Sequence, residues 1–539
     1  MAGSIFAYIA MGVAGIAQFG LLIWRADGKK PSSHGSAGWT TVWPLYKKGL
    51  FNRKGLMVGD WSGLLPVFYD GTHAISFGTT GSGKGVAAVL PNLLSYPFVF
   101  LLDPGGENSA IASKYWRQAG YQFRCINFFG KHTEAPWELP ADGFNPLDML
   151  DAGSPTFEAD ALVIAELLIK RDGSETGSTL FFKETAEGHI RDFIVHCKTT
   201  EPKARQNLAT IFRYLNSAPD EWNRLMRAMK ANGASEGLVR TGALALERRE
   251  QQSPEEFSAI RSTMQEDLNW LTDPRVRRFI SRSDVDFSIL KNLDSGRKGA
   301  VISVVLPLEY NRSHAAISRL ALACAVLTMQ RAPLAKRKAV FLIDEAADLG
   351  SIRRLPEWLA TLRKYRVVFW PIFQNIGQVA ALYGRGWQTV IANCGLLQIL
   401  SVGNDLETAK HAEALIGQST VRSVSRNGRG EHSVSEAARP LLTGDELRRL
   451  REDEQIVFIG NLPPMKLRKT PYWLRPELRG RFHPNPYWEG KTPRAGVGSA
   501  LRALWGRTYY GLVCWMAPHP VAAVIQCSAL LAFLFWLFG

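Results

Sequence analysis

The stretch Gly78-Thr79-Thr80-Gly81-Ser82-Gly83-Lys84-Gly85 decides the fold of this chain. It follows an apolar run, His73 to Phe77, that is predicted to be a buried strand, and it precedes Val86 to Leu94, which is predicted to be a helix. Glycines let successive backbone N–H groups turn toward an anion, and a helix N-terminus adds a positive partial charge. The stretch therefore predicts a phosphate-binding loop between a strand and a helix.

The loop carries only part of the usual set of ligands. Lys84 supplies a full positive charge, whereas Gly85 stands where such loops usually have a Ser or Thr hydroxyl that helps to hold magnesium. A short glycine motif also recurs by chance, so the rest of the chain has to decide its meaning. The predicted nucleotide-binding residues are Gly78, Thr79, Thr80, Gly81, Ser82, Gly83, Lys84, Gly85 and Val86.

A second apolar run, Ala339 to Ile343, ends in two carboxylates, Asp344 and Glu345. On a strand next to the phosphate-loop strand, Asp344 is predicted to hold Mg²⁺ and Glu345 to orient and deprotonate the attacking water. These are the two tasks that phosphoryl transfer to water requires. The alternative is a strand that merely ends in acidic, helix-starting residues, and the phosphate loop in the same chain favours catalysis.

Two further polar side chains flank the predicted strand Val367 to Phe373. Gln374 follows it, and a neutral amide there is predicted to contact the terminal phosphate or the water; an ordinary polar strand end is the alternative. Arg363 precedes the strand and is interpreted as an arginine that reaches across a subunit boundary, although an arginine in this position is more often solvated. The predicted catalytic residues are thus Glu345, Gln374 and Arg363, with ATP and Mg²⁺ as cofactors.

Strands and helices alternate around these motifs, which predicts an α/β fold with a parallel sheet covered on both faces. The predicted strands after the loop are Phe98 to Leu102, Tyr121 to Phe129, Ala300 to Leu308, Val340 to Ile343, Val367 to Phe373 and Leu396 to Val402, with a late hairpin of Ile456 to Gly460 and Lys466 to Tyr472.

The segment from Ser154 to Ser288 has a different pattern, because its apolar residues recur at helical spacing and no strand is evident. It is predicted to be an all-α domain inserted into the sheet domain. Ser423 to Ala437 contains almost nothing apolar and is predicted to be a mobile loop. The predicted divisions are an anchor at 1–30, a linker at 31–42, the first part of the nucleotide-binding domain at 43–153, the all-α domain at 154–288, the second part at 289–480, a linker at 481–519 and a final helix at 520–539.

Length, charge and cysteines set broader limits. A chain of 539 residues is predicted to form two folded parts with attachments. The net charge of +15 suits either a polyanionic partner or a membrane protein with a basic cytoplasmic side, and it favours neither strongly. The spacing of the cysteines does not suggest a zinc site, and they are expected to be mostly buried thiols in a reducing compartment: Cys125, Cys197, Cys324, Cys394, Cys514 and Cys527.

Both ends of the chain are predicted to cross a membrane. Ser4 to Trp24 is apolar except for Gln18 and is long enough to cross about 30 Å of hydrocarbon, and Val521 to Phe538 is a second apolar run. A buried or interfacial helix is the alternative for the C-terminal run. Basic residues lie on the inner side of both runs, and the positive-inside rule then places residues between them in the cytoplasm.

Motifs spread from Gly55 to Tyr472 occur in a specific order. They include GTTGSGKG followed by PNLL, Phe144-Asn145-Pro146-Leu147, the run LIDEAADLGSIRRLPEWLATLRKYRVVFWPIFQNIGQVAALYG with Ala392-Asn393-Cys394 after it, Gly403 to Ala409, Arg439-Pro440-Leu441-Leu442, and Asp453-Glu454-Gln455. Together they resemble the coupling proteins of type IV secretion, the TraG/TraD class of conjugative DNA-transfer ATPases.

This resemblance implies a RecA-like hexameric motor, anchored in the inner membrane, with the all-α domain at its cytoplasmic mouth. Such a motor would receive relaxase-bound single-stranded DNA or protein effectors and drive them toward the channel components by ATP hydrolysis. The residues on the class's nucleotide-site positions are Lys84, Asp344, Glu345 and Gln374, with Arg363 as the trans-acting arginine. Members of the class often have glycine at the position of Gly85.

The chain departs from the class at two places. The class usually reads Asp-Pro-Lys-Gly-Glu where this chain has Asp103-Pro104-Gly105-Gly106-Glu107, and it typically has two N-terminal spans rather than one span at each end. A membrane receptor that does not hydrolyse ATP therefore stays open as an alternative, whereas the motifs disfavour a chromosome pump of the FtsK kind. DNA contacts stay unassigned among the basic candidates Arg277, Arg278, Arg282, Arg422, Arg426 and Arg429.

Overall fold

The computed structural model describes residues 33–293, 296–426 and 432–488. The chain divides into two compact units. The larger unit holds residues 71–400 and 477–493, and the smaller unit holds residues 1–70, 401–476 and 494–539, as far as they lie within the described ranges. The predicted all-α segment belongs to the larger unit, and the predicted domain boundaries stay a prediction.

Strands occur in both units. In chain order they are β1 (Leu56–Trp61), β2 (Leu65–Tyr69), β3 (His73–Gly78), β4 (Phe98–Pro104), β5 (Gln122–Ile126), β6 (Ala300–Leu306), β7 (Ala339–Ile343), β8 (Val367–Phe373), β9 (Cys394–Ser401), β10 (Gln418–Arg426), β11 (His432–Pro440), β12 (Glu454–Ile459) and β13 (Met465–Arg468).

The helices are α1 (Val42–Lys47), α2 (Leu90–Leu93), α3 (Glu107–Gln118), α4 (Phe157–Leu168), α5 (Gly177–Thr200), α6 (Leu208–Leu215), α7 (Pro219–Ala231), α8 (Ala234–Gln252), α9 (Pro254–Asp267), α10 (Pro274–Phe279), α11 (Ala315–Gln330), α12 (Leu355–Thr361), α13 (Ile376–Tyr383), α14 (Trp387–Ala392), α15 (Leu406–Ile416) and α16 (Gly444–Arg448). Short 3₁₀ turns connect several of them.

The larger unit is built on a sheet with the strand order β9-β3-β8-β7-β4-β6-β5. From β3 to β5 all neighbouring strands pair in parallel. Strands β6, β7 and β8 are buried at every residue, as expected when helices cover both faces of a parallel sheet. The predicted α/β fold is confirmed, and the strands fall close to their predicted positions.

One expectation about the sheet is wrong. The acidic pair follows β7, which was expected to be the neighbour of β3, but β8 lies between these two strands. Chain order does not determine sheet order, because a helical crossover can place the next parallel strand on either side of the preceding one. Three parallel strands, β3, β8 and β7, are therefore followed by Lys84, Gln374 and the acidic pair on the same edge of the sheet.

The all-α segment is confirmed. Between residues 154 and 288, all of which the structure describes, the chain forms α4 to α10 and no strand. Several of these helices begin with proline, which lacks the N–H that a first turn leaves unpaired: Pro219, Pro254 and Pro274. Helix α5 runs through the middle of the segment, buries Ile190, Phe193 and Ile194, and packs against α4, α8 and α9.

The smaller unit has an antiparallel sheet with the order β2-β1-β13-β12. A buried ion pair ties its last segment to the sheet, since the guanidinium of Arg475 donates to both carboxylate oxygens of Asp60 at 3.1 and 2.6 Å. The predicted late hairpin is confirmed as β12 and β13, although the second strand ends at Arg468 rather than near Tyr472.

The predicted mobile loop at Ser423 to Ala437 is wrong within the described residues. Strands β10 and β11 pair in antiparallel register from Gln418 with Pro440 to Arg426 with His432. None of the ribbon side chains whose burial is described is buried, so no apolar pattern marks these strands in the sequence. Part of the predicted flexible linker also joins this ribbon, because Ala37 N–H donates to the Gln418 carbonyl at 2.9 Å.

The predicted membrane segments, Ser4 to Trp24 and Val521 to Phe538, lie outside the described residues, as do Cys514 and Cys527. Within the described ranges, no helix has the length and apolar character that crossing a membrane would require. The described cysteines are free thiols: Cys125, Cys197 and Cys324 are buried, and Cys394 is partly buried.

Candidate nucleotide-binding site

The glycine-rich loop leaves the carboxyl end of β3 and turns through two glycines with left-handed backbone, Gly81 with φ +79° and Gly83 with φ +81°. A side chain at Gly78 would crowd the loop, because a Cβ there would lie 2.6 Å from Ser82 Oγ. The predicted helix follows as a wide, π-type turn over Lys84–Val89 that continues into α2. The loop therefore presents its backbone at the carboxyl edge of the parallel sheet, as the sequence predicted.

The lysine of the loop meets the acidic pair, although 344 − 84 = 260 positions separate Lys84 from Asp344 in the chain. Lys84 Nζ lies 3.5 Å from Asp344 Oδ1 and contacts Glu345 Oε2 directly. Strands β3 and β7 are two sheet positions, or about 10 Å, apart, and the side chains of Lys84 and Glu345 close this gap together. The predicted convergence of these three side chains is confirmed, and the intervening strand does not prevent it.

The intervening strand brings the predicted sensor to the same place. Gln374 directly follows β8, and its Nε2 donates a hydrogen bond to Glu345 Oε1. Its own backbone N–H donates to Gln378 Oε1 at 2.8 Å, which holds the residue at the start of α13. Glu345 therefore lies between an ammonium group from β3 and a neutral amide from β8.

The backbone of Glu345 is held in an unusual conformation, with φ 54° and ψ 51°. A residue with a Cβ pays about 1–2 kcal/mol for this left-handed region, so the surrounding structure has to maintain it. Strain of this kind clusters at functional sites. Here it accompanies a carboxylate that is placed against Lys84 and Gln374.

Sequence reasoning missed two residues of this cluster, Asp103 and Asn108. Asp103 ends β4 beside β7 and is almost fully buried. Asn108 lies in the first turn of α3 and donates from Nδ2 to Asp103 Oδ1 at 3.0 Å and to Asp344 Oδ2 at 3.3 Å. The available signal was the segment Asp103 to Asn108, which was noted only for its missing lysine.

Electrostatics at this edge are dominated by carboxylates. Burial raises the pKa of Asp103 to about 7, with Asp344 adding to the effect. Burial also raises the pKa of Asp344 above its ordinary value despite the nearby ammonium of Lys84. Burial alone would lower the pKa of Lys84, but Asp344 and Glu345 raise it on balance. Burial therefore favours the neutral form of Asp103 and Asp344, and the ammonium of Lys84 opposes this effect at Asp344.

These side chains fit a magnesium–nucleotide complex. Carboxylate and amide oxygens are the hard ligands that Mg²⁺ prefers, and at nucleotide sites it uses one or two protein carboxylates together with phosphate oxygens. Across the described ranges, no group of three or more His, Cys, Asp or Glu is placed to hold a metal by itself. The carboxylate of Asp344 and the neighbouring amide of Asn108 therefore suit a metal ion whose other ligands are the phosphate oxygens of a nucleotide.

The position of the missing class lysine is filled from elsewhere. Gly105 has φ +79°, and its carbonyl accepts hydrogen bonds from Tyr487 Oη at 2.9 Å and from the His132 ring at 3.1 Å. A Cβ at this position would lie 3.2 Å from both Leu308 Cγ and Tyr487 Oη. Beside it, Asn485 Nδ2 donates to Glu107 Oε1 at 2.6 Å. Residues of the segment 477–488 thus lie next to Gly105, and Leu308 and Tyr487 would have to shift to admit a side chain at this position.

Replacing Gly105 with alanine is expected to destabilise the protein more than the same change at Gly120. Both glycines have left-handed backbone, with φ +79° and +70°, so each substitution costs about 1–2 kcal/mol. Only Gly105 adds crowding, since a Cβ at Gly120 meets nothing within 4 Å, and crowding costs about 1 kcal/mol more. Thermal unfolding of the two variants measures the difference, and equal shifts in Tm would contradict the crowding.

Arg363 does not join the cluster in its own subunit. Its side chain is exposed in the turn after α12, and it precedes β8, whereas Gln374 follows the same strand. The two residues therefore lie at opposite edges of the sheet, separated by a strand about 23 Å long. Within one chain, Arg363 is too far away to act on a nucleotide bound at Lys84.

The parallel α/β sheet and this arrangement of loop, acidic pair and amide are those of a phosphate-loop domain. The family model described as "Type IV secretory system Conjugative DNA transfer" matches residues 25–490, and the chain belongs to this family. The resemblance to type IV secretion coupling proteins that the sequence motifs predict is thereby confirmed.

Relatives and solved structures agree with this family. The conjugal transfer protein TraG of Rhizobium radiobacter is 25% identical over 434 residues, which cover 77% of this chain and 65% of that protein. The type IV secretion system-coupling protein VirD4 of Bartonella quintana is 24% identical over 435 residues, or 78% of this chain and 65% of that protein. The chain thus spans about two thirds of the length of these relatives.

Among solved structures, the plasmid coupling protein TrwB has the same fold. Its complex with the non-hydrolysable ATP analogue ADPNP superimposes on this protein with a TM-score of 0.60 and 17% sequence identity. The superposition covers 82% of this chain and 96% of the TrwB chain. Its complex with ADP and Mg²⁺ gives a TM-score of 0.59 at 18% identity, with the same coverage.

Proposed function

We propose that this protein is an ATPase of the bacterial inner membrane that couples substrates to a type IV secretion channel and drives their transport by ATP hydrolysis. The observation that carries the proposal is the meeting of Lys84, Glu345 and Gln374 at one edge of the sheet in a conjugative DNA-transfer protein. The cargo is relaxase-bound single-stranded DNA or protein effectors, and the working form is a membrane-anchored homo-oligomer, most simply a hexameric ring.

Each residue of the site has a defined task in this reaction. Loop N–H groups and Lys84 bind the phosphates of ATP, and the lysine stabilises charge on the transferred phosphoryl group. Glu345, which contacts Lys84 Nζ, orients the attacking water and accepts its proton. Gln374 shares a hydrogen bond with Glu345 and so links the state of the terminal phosphate to α13.

Asp344 would hold Mg²⁺, which when bound neutralises phosphate charge. The TrwB structures with ADPNP and with ADP and Mg²⁺ support nucleotide and metal binding by this fold. Arg363, which lies at the opposite sheet edge from its own loop, is proposed to act on the nucleotide of a neighbouring subunit.

ATP turnover by the full chain, purified in detergent, tests this function. Wild-type protein is expected to hydrolyse ATP faster when single-stranded DNA is present. Lys84→Ala is expected to weaken ATP binding roughly 10- to 100-fold, because it removes a charge-assisted hydrogen bond of about 1.5–3 kcal/mol, and to abolish the DNA-dependent turnover.

Lys114→Ala serves as the matched control, because this lysine is on α3 and not part of the cluster. Equal, negligible turnover by wild type and Lys84→Ala, with relaxase or effector binding intact, would instead support a receptor that hands cargo on without hydrolysis.

A further inference from the structure

The phosphate loop lacks a hydroxyl at Gly85, and the structure shows what lies in its place. A Cβ built on Gly85 would be 3.7 Å from Asn108 Oδ1, which is an ordinary contact distance. Gly85 does not have the left-handed backbone of Gly81 and Gly83, so a serine would fit here without strain. The space that a Ser or Thr side chain fills in other loops therefore borders on the side-chain oxygen of Asn108.

Hydrogen bonds fix the orientation of this amide. Asn108 Nδ2 donates to Asp103 Oδ1 at 3.0 Å and to Asp344 Oδ2 at 3.3 Å. An NH₂ group has two hydrogens, and both are used by carboxylates that accept and do not donate while they are ionised. The opposite orientation would place the amide oxygen against two carboxylates. Oδ1 therefore points to the loop side.

The first turn of α3 is held rigidly behind this amide. Asp103 accepts from the backbone N–H of Ser109 at 2.6 Å and of Asn108 at 3.3 Å, and Gly106 makes the turn with φ +76°. Asn108 is only 5% exposed. A buried side chain with its donors satisfied and its acceptor directed at the phosphate loop is preorganised to bind a cation or a donor there.

We propose that Asn108 Oδ1 supplies the neutral oxygen ligand for nucleotide-bound Mg²⁺ that Gly85 does not provide. The inference rests on the nucleotide binding proposed above. It adds a metal ligand from α3, next to the loop position that usually supplies the hydroxyl. An amide oxygen is a suitable hard ligand, and it is neutral like the hydroxyl that it replaces, so the charge balance around the metal is kept. Asp103 positions this ligand through Nδ2 rather than contacting the metal.

Metal-dependent nucleotide binding by the full chain tests the proposal. The dissociation constant of a fluorescent ADP is measured with Mg²⁺ and with EDTA, and their ratio gives the advantage that the metal confers. Asn108→Ala is expected to reduce this ratio about 10-fold or more, in line with the loss of a group that supports a metal site, while affinity in EDTA stays near wild type. Binding of Mn²⁺ with ADP, followed by electron paramagnetic resonance, reports on the metal directly and is expected to weaken in parallel.

A rescue variant keeps the proposal falsifiable even if Asn108→Ala loses stability. Gly85→Ser restores the loop hydroxyl, and the double variant Gly85→Ser with Asn108→Ala is expected to recover most of the metal advantage. Gln118→Ala, an exposed change at the other end of α3, serves as the control.

The failure of this inference differs from the failure of the proposed function. The assignment of Asn108 would be overturned if the ratio of the two dissociation constants were unchanged in Asn108→Ala. It would also be overturned if that ratio fell in Asn108→Ala and Gly85→Ser did not restore it. Nucleotide binding would stand in both cases. Wild-type protein that binds no nucleotide, with or without metal, would overturn the proposed function itself.

Discussion

Replacing Glu345 with glutamine is expected to lower ATP turnover by about 10²- to 10⁴-fold, the usual contribution of a general base. The substitution removes the proton acceptor but keeps the size of the side chain, its left-handed backbone and a hydrogen-bonding partner for Gln374. ATP affinity is expected to remain, because Lys84 and the loop are unchanged. Single-turnover hydrolysis and equilibrium binding of ATP, measured on the same preparation, separate the two effects.

The control for this experiment is Glu357→Gln, which removes one carboxylate from an exposed position on α12. It is expected to leave turnover unchanged. If Glu345→Gln turned ATP over at the wild-type rate, the carboxylate would not be the base, and the water would have to be activated by another group. Parallel loss of affinity and turnover would instead assign Glu345 to binding.

The sequence predicts much of this site because its residue types follow simple strand-end rules. A glycine loop after β3, carboxylates after β7 and an amide after β8 all lie at carboxyl ends of parallel strands, which share one edge of a sheet. Their convergence therefore depends only on the strands being parallel and close. It does not require their order, and so the wrong expectation that β7 adjoins β3 did not affect the predicted site.

The residues that were missed depend on exactly the information that chain order lacks. Asn108 becomes part of the site because β4 pairs with β7, which places the start of α3 beside Asp344. Likewise, the neighbour of Gly105, where the class has a lysine, is Tyr487, which is 487 − 105 = 382 positions away in the chain. A sequence pattern shows that a usual residue is absent, whereas only the fold shows which distant residue fills its space.

The ribbon of β10 and β11 illustrates a different limit. Apolar periodicity predicts elements that bury a face, and it works for the buried strands β6, β7 and β8. Residues such as Thr420 and Arg422 show no apolar periodicity, because β10 and β11 pair with each other in a two-stranded sheet. Backbone pairing without a buried face cannot be distinguished from a polar loop by composition.

Replacing Arg363 with alanine is expected to lower ATP turnover by about 10³- to 10⁵-fold, the range for an arginine that stabilises the charge of phosphoryl transfer. The structure places Arg363 at the opposite sheet edge from Lys84, so this loss would have to arise at the nucleotide of another subunit. Mixing provides the test, because a ring with heterologous interfaces combines the arginine of one subunit with the base of the next.

In a 1:1 mixture of Arg363→Ala and Glu345→Gln chains, one interface type in four has both groups intact. Turnover is therefore expected to recover to about a quarter of wild type if the interfaces of a heterologous ring act independently. Lys364→Ala, an exposed neighbour in the same turn, is the control and is expected to stay active. Full activity of Arg363→Ala alone would remove the arginine from the mechanism. If the variant and the mixture were both inactive, the proposed action on a neighbouring subunit would be contradicted. The arginine would then have to act within its own chain, where it lies at the opposite sheet edge from the phosphate loop.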